Sequence, residues 1–335
     1  MKKIYKLMVA CLMGLSLTNC NDFLDYNPTA VIDEDKAFSE PEKMVNAAYA
    51  MLGDCWFSYP FNLFPYGDIT SDDCLKGGSG TTDTGYHPFE IWSTLTATTP
   101  GEMDELWYRL YCAVSRCNRA LVSLERNGVA KLGSDISEQR IAEVKFLRAH
   151  FYYKLLIVFR QVPWIDEVAY SNNSIEQIPN DEFSYEGLFG KVIADFETAY
   201  NVLPEKQSDG GRVNKIAAAA YLAKCYLGLA WGDGYEATTG VSHINEEYMR
   251  KVVTYTDEVA NSDYDYLEDF GDIFLPDYKN SKESVFAVQC SDYKDDNTSF
   301  GRANWSNMLN GCWGMWSCGW DFHKPSQNLV NAFKT

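Results

Sequence analysis

The sequence predicts a mostly α fold: tetratricopeptide-like helix pairs, or an α-solenoid, carrying long irregular loops. Three observations predict it. Apolar residues recur at helical spacing in successive stretches, each closed by a proline, a glycine or a polar break. Only one short stretch alternates as a strand would. The long segments between them are rich in Gly, Pro, Asp, Thr and Trp, the composition of loops held on a scaffold.

The elements follow in order. Ser39-Glu40-Pro41-Glu42 reads as a capping box with Ser39 as N-cap, and Met44, Ala47, Ala48 and Met51 follow at helical spacing. Residues 55–98 read as one long irregular segment. Thr99-Pro100-Gly101-Glu102 is a second capping box. Behind it, Met103, Leu106, Leu110, Val114, Cys117, Leu121 and Leu124 mark one face of a long helix. Ile141, Val144, Leu147, Phe151, Leu155 and Val158 mark the next, which stops before Pro163. Tyr185, Leu188, Val192, Phe196 and Ala199 mark another, ended by Pro204. Asn214 caps an Ala-rich helix running to about Ala230, where Ala217 to Ala220 allow close approach of a neighbour. Tyr248, Val252, Tyr255 and Val259 mark the last. Ser284 to Gln289 reads as a strand. The pairs are unevenly spaced and no strict 34-residue repeat occurs. No linker divides the chain into two domains.

The amino terminus reads as an address. Lys2, Lys3 and Lys6 precede an apolar run from Leu7 to Leu17, too short to span a bilayer. Leu17-Thr18-Asn19-Cys20 resembles a bacterial lipobox, in which cleavage before the cysteine leaves a thiol that carries diacylglycerol. Residues 1–19 are therefore expected to be a lipoprotein signal peptide, and residues 20–335 one helical domain anchored through Cys20. Loss of the three lysines takes the formal charge from -18 to -21. With 47 acidic and 29 basic side chains, the average surface repels phosphate. Nucleic acid and a basic lipid-docking face are excluded as the main mode of binding.

Two segments carry binding chemistry. Sugars need flat aromatic faces for their C–H groups and fixed polar partners for their hydroxyls. Tyr66, Asp68, Asp72, Asp73, Tyr86 and Trp92 form the first set. Asn304, Trp305, Asn307, Trp313, Trp316 and Trp320 form the second. The ligand-binding candidates are Asp72, Tyr86, Trp92, Trp305, Trp313, Trp316 and Trp320. Each single Trp is as readily a gap-filler under a loop. Trp107 sits in a helical pattern and Trp164 at a helix exit, so both read as packing. Glu143, Arg148 and His150 read as caps or bridges between helices.

No metal site is expected. His87, His150, His243 and His323 lack ligand spacing and no C-x-x-C pair occurs. Asp292, Asp295 and Asp296 invite Ca²⁺ but do not match an EF-hand loop, and read as a solvated turn. No G-x-S-x-G motif is present. Cys112 and Cys117 are poorly placed to pair, whereas Cys312 and Cys318 lie in one Gly/Trp-rich loop and can.

These residues resemble a family, the SusD/RagB-like outer-membrane nutrient-binding lipoproteins of Bacteroidetes. Cys20-Asn21-Asp22-Phe23-Leu24-Asp25 with Pro28 resembles its lipidated start. Leu106-Trp107 with Tyr111 and Asn118 resembles its early helix. Glu143 to Tyr152 leading to Val162-Pro163 is the most specific stretch. Gly211-Arg212-Val213-Asn214-Lys215 with Ala219 to Leu227, Lys282-Glu283-Ser284-Val285-Phe286, and Pro325 to Phe333 complete an ordered set.

The resemblance implies an α/α superhelical scaffold with long irregular ligand-binding loops. It implies a non-catalytic protein of the cell outer membrane. Such a protein captures oligosaccharides or polysaccharides and delivers them to a SusC-like TonB-dependent transporter. A peptide-binding member is the alternative of the same class; a surface glycoside hydrolase and a structural helical adaptor are alternatives of other classes. Family members are usually longer, and the Pro325 to Phe333 stretch lies well inside them, so the chain reads as shortened at its carboxyl end.

Overall fold

A computed structural model describes residues 34–53, 66–78, 86–93, 101–232, 235–236, 240–289 and 322–334. Two short helices open it, α1 (Glu34–Phe38) and α2 (Pro41–Tyr49). A strand β1 (Cys74–Gly77) and a helical turn α3 (His87–Glu90) follow. The scaffold is α4 (Gly101–Leu132), α5 (Ser134–Phe159), the short α6 (Glu167–Ser171), α7 (Tyr185–Val202), α8 (Lys215–Gly232) and α9 (Glu246–Ala260). Two-residue strands β2 (Tyr235–Glu236) and β3 (Gly240–Val241) pair with each other between α8 and α9. β4 (Phe322–Pro325) and α10 (Gln327–Ala332) end the described chain.

Successive long helices pack on each other: α2 on α4, α4 on α5, α5 on α7, α7 on α8 and α8 on α9. The fold is thus mostly α, a run of stacked helix pairs, as the periodicity predicts. Gly133 turns α4 into α5 with φ of +83°, a backbone that suits glycine because it has no Cβ. Arg160 closes α5 at φ +60°, three residues before Pro163.

The face predicted for α4 is buried from Leu106 to Leu124, and Met103 packs instead on a second, smaller core. α5 is buried more widely than its single predicted stripe. Phe146, Ala149, Tyr152 and Leu156 are enclosed too, because α2, α4 and α7 all contact this helix. Phe196 and Tyr221 stack at 4.9 Å, with Phe146 edge-on to both. Ala217, Ala218 and Ala219 are buried in α8, where small side chains let α7 and α9 approach. α9 buries nothing completely and lends only its predicted Tyr248, Val252 and Tyr255 to the core.

Helix ends are closed by side chains. Ser184 Oγ accepts from Gly187 N at 3.1 Å, Asn214 Oδ1 from Ala217 N at 2.8 Å, and Asn245 Oδ1 from Glu247 N and Tyr248 N. Two expectations change. Ser39 is not the N-cap of α2; Glu40 holds that position, and Ser39 Oγ donates back to the Lys36 carbonyl at 2.8 Å, closing α1. Ser284 to Gln289 is not a strand. Its Val285 carbonyl is taken by the Asn214 side chain at 2.8 Å and its apolar Val285 and Phe286 pack on the core, so alternation reflects packing without a ladder partner.

The expected helix bridges are present. Arg148 is 3% exposed and meets Asp195 through two parallel bonds of 2.7 and 2.9 Å. It also donates to Asn118 Oδ1 at 3.1 Å and to Glu167, and lies over the Trp164 ring. α4, α5, α6 and α7 are thereby joined through one guanidinium. Trp164 stacks on Tyr152 at 4.2 Å, and Trp107 packs among Tyr111 and Phe159, so both tryptophans serve packing as expected. Glu143 is fully buried and accepts from Arg140, Arg212, Tyr49 and Gln207 at 2.8 to 3.2 Å. Burial works against the charge of Glu42, yet Arg140 and Arg212 hold its carboxyl below the usual range.

Candidate functional site

The first predicted binding segment, expected as a single irregular loop, holds structure of its own. β1 pairs antiparallel with β4 in the register Cys74 with Pro325, Leu75 with Lys324 and Gly77 with Phe322. A turn leads into β1: Ser71 Oγ donates to the Asp68 carbonyl at 2.7 Å and accepts from Asp73 N at 3.1 Å. Ile69 points inward from this turn and joins Tyr86 and Phe89 in the small core, with Tyr66, Met103 and Phe322 packed around it. Tyr66 meets Phe89 edge-on at 5.1 Å, and Tyr86 meets Phe322 at 6.4 Å.

Polar contacts lock the pieces. Glu90 of α3 accepts from the backbone N–H of Lys76 at 3.1 Å and contacts His87 Nδ1 at 3.2 Å. His323 Nε2 lies 2.9 Å from Asp68 Oδ2. Ser326 N donates to the Asp73 carbonyl at 2.8 Å and Ser326 Oγ to the Asp72 carbonyl. Lys76 is buried, bonds to the Gly77 carbonyl and lies over the Phe322 ring. Burial, reinforced by Asp68, Glu90 and Asp73, pushes the Cys74 thiol up to about 11, so it stays protonated and unreactive at neutral pH.

On this base Trp92 stands out. It follows α3, is 76% exposed and has φ of +50°. A bulky residue in the left-handed region costs about 1–3 kcal/mol and persists only where surroundings hold it. Here the backbone bonds Trp92 N to Phe89 O and Ser93 N to Pro88 O hold it. Ile91 beside it is 55% exposed. The arrangement presents a flat indole to solvent on a held backbone, which suits stacking on the C–H face of a ring.

The predicted residues fall out as follows. Trp92 is exposed on the platform. Asp72 is exposed, its backbone tied to Ser326 while its carboxylate faces solvent. Tyr86 is buried, 7% exposed, and its ring packs edge-on to Phe322 in the small core. Trp305, Trp313, Trp316 and Trp320 lie outside the described residues, as do Cys20 and Cys312, Cys318, Asp292, Asp295 and Asp296. Sequence reasoning missed Lys76, Phe322 and the His323–Asp68 pair. Four-residue strands some 250 residues apart carry no periodic signal of their own. Among the described residues no group of three or more His, Cys, Asp or Glu side chains is placed to hold a metal ion.

Known proteins share this architecture. The SusD-like family model, described as starch-binding and associating with outer membrane, matches residues 22–227. A SusD-like protein of Bacteroides ovatus is 25% identical over 320 residues, covering 92% of this chain and 55% of its own length. SusD-like protein P2 of Formosa agariphila is 28% identical over 236 residues, covering 68% of this chain and 43% of its own. The chain thus spans about half the length of the curated relatives it matches. Among solved structures, a laminarin-binding SusD-like protein superposes with a TM-score of 0.69 at 20% identity, over 88% of this chain and 63% of the other. Surface glycan-binding protein A of Bacteroides thetaiotaomicron, in complex with laminarihexaose, gives 0.66 at 22% identity, over 88% and 60%. With most of its helical scaffold inside the family match and its fold shared with these structures, the chain belongs to the SusD-like family.

Proposed function

We propose that the protein is a non-catalytic surface glycan-binding lipoprotein of the outer membrane, held by a lipid on Cys20. It captures oligosaccharides or polysaccharides and passes them to a SusC-like TonB-dependent transporter, without a metal cofactor. The observation that carries this reading is Trp92, an exposed indole on a strained backbone locked to the β1–β4 sheet. Membership of the SusD-like family supports it, as do structural relatives described as binding laminarin and laminarihexaose.

Affinity electrophoresis through gels containing laminarin, starch, xylan or mannan tests it. The chain is retarded by at least one polysaccharide and releases no reducing sugar on long incubation. Trp92→Ala weakens that retention about tenfold, the loss of one stacking contact, while the melting temperature stays unchanged. Retardation by none of the polysaccharides would overturn the reading.

A further inference from the structure

Two stretches singled out in the sequence, Gly211 to Lys215 and Lys282 to Phe286, meet far apart in the chain. Between them lies a pocket of about 180 Å³ that shares no residue with the Trp92 platform. Its walls are fixed by internal bonds. Asn214 Nδ2 donates to the Val285 carbonyl at 2.8 Å and to Tyr264 Oη at 3.0 Å. The amides of Asn280 and Gln289 exchange bonds of 2.8 and 2.9 Å beside Gly210. Arg212 is held on Glu143 and Glu42.

The lining selects a ligand class. Lys206, Arg212 and Lys282 stand beside Glu205, Asp209 and Asp263, and Arg212 and Lys282 are already paired with Glu143, Glu42 and Asp265, so the pocket does not favour an anion. Serine hydroxyls, amides and these charged groups offer donors and acceptors together, which suits a ligand that is both at once. Val285 adds apolar surface on which ring C–H groups can rest. At about 180 Å³ the pocket has room for one ring. A neutral polyhydroxylated ring meets all of these conditions.

We propose that this pocket is a second carbohydrate subsite, taking one neutral sugar ring independently of the Trp92 platform. The proposal rests on the glycan-binding reading above. The full chain is titrated by NMR with glucose, galactose, mannose and N-acetylglucosamine, in parallel with affinity electrophoresis. Two variants are compared: Ser281→Trp, which fills the pocket, and Lys206→Ala, which removes an exposed donor without touching the fold. At least one monosaccharide binds; Ser281→Trp abolishes that binding and Lys206→Ala weakens it about tenfold. Neither variant changes polysaccharide retention. If Ser281→Trp does not fold, judged by circular dichroism, Lys206→Ala carries the test. Polysaccharide retention with no monosaccharide binding, or with binding that ignores Lys206→Ala, overturns the pocket and leaves the platform reading standing. A chain that binds neither polysaccharide nor monosaccharide overturns both.

Discussion

Arg148 carries a charge into a place where water cannot reach it. Burial works against its ionisation, but Asp195 and Glu167 more than offset this and raise its pKa further. Removing one partner leaves the other as a buried, unpaired charge. Arg148→Met is therefore expected to lower stability by about 3–5 kcal/mol in urea denaturation, whereas Arg148→Met with Asp195→Leu recovers most of the loss. His150 behaves oppositely. Burial, with Lys154 and Lys224 nearby, holds its pKa well below the ordinary 6.5, so the folded state keeps it neutral beside Tyr221 Oη at 2.6 Å. The unfolded chain takes up a proton there as pH falls through about 6.5. Stability from this group is complete above that pH and is lost below it. Between about pH 7.5 and about pH 5.5, the wild type is expected to lose more unfolding free energy than His150→Gln, measured by denaturant titration at each pH.

Among the elements, α8 shows how a single side chain orders its surroundings. Asn214 caps the helix through Ala217 N and also reaches the Val285 carbonyl and Tyr264 Oη. A cap alone contributes about 1 kcal/mol, and a buried carbonyl left without its donor adds to the cost. Asn214→Ala is expected to lower the denaturation midpoint by an amount equal to about 2 kcal/mol, with an unchanged m-value. The longer helices were legible because each supplies its own period and its own boundary: Pro163 after α5, Pro204 after α7, Asn214 before α8. Segment 284–289 misled because alternation reports which side chains are buried, not whether a neighbouring strand exists. Ser39 misled because two helices compete for it, and the Lys36 carbonyl wins.

The whole molecule combines a stacked-helix scaffold with a small separate core that carries Trp92. No helix among the described residues is long and apolar enough to cross a membrane. The attachment we propose is a lipid on Cys20, the cysteine that follows the apolar run Leu7 to Leu17. Cys20→Ala is expected to move the protein from the membrane fraction to the soluble fraction and to abolish incorporation of labelled palmitate. Unchanged fractionation with unchanged labelling would show that another feature anchors the chain.

The sequence by itself determined the longer helices, their order and most of their buried faces, since helical periodicity, caps and breakers act over a few residues. It also determined the acidic character and the motifs of the family. Only the tertiary structure decided the partners of the polar residues in those motifs: Arg148 meets Asp195, and Glu143 meets Arg212 and Tyr49, 47 to 94 residues away. It likewise decided that Tyr86 is buried while Trp92 is exposed, and that β1 meets β4. Composition assigns both aromatics to one loop. Their accessibility depends on Ile69, Phe89 and Phe322 arriving from three separate segments, and contacts of that range leave no trace in local periodicity.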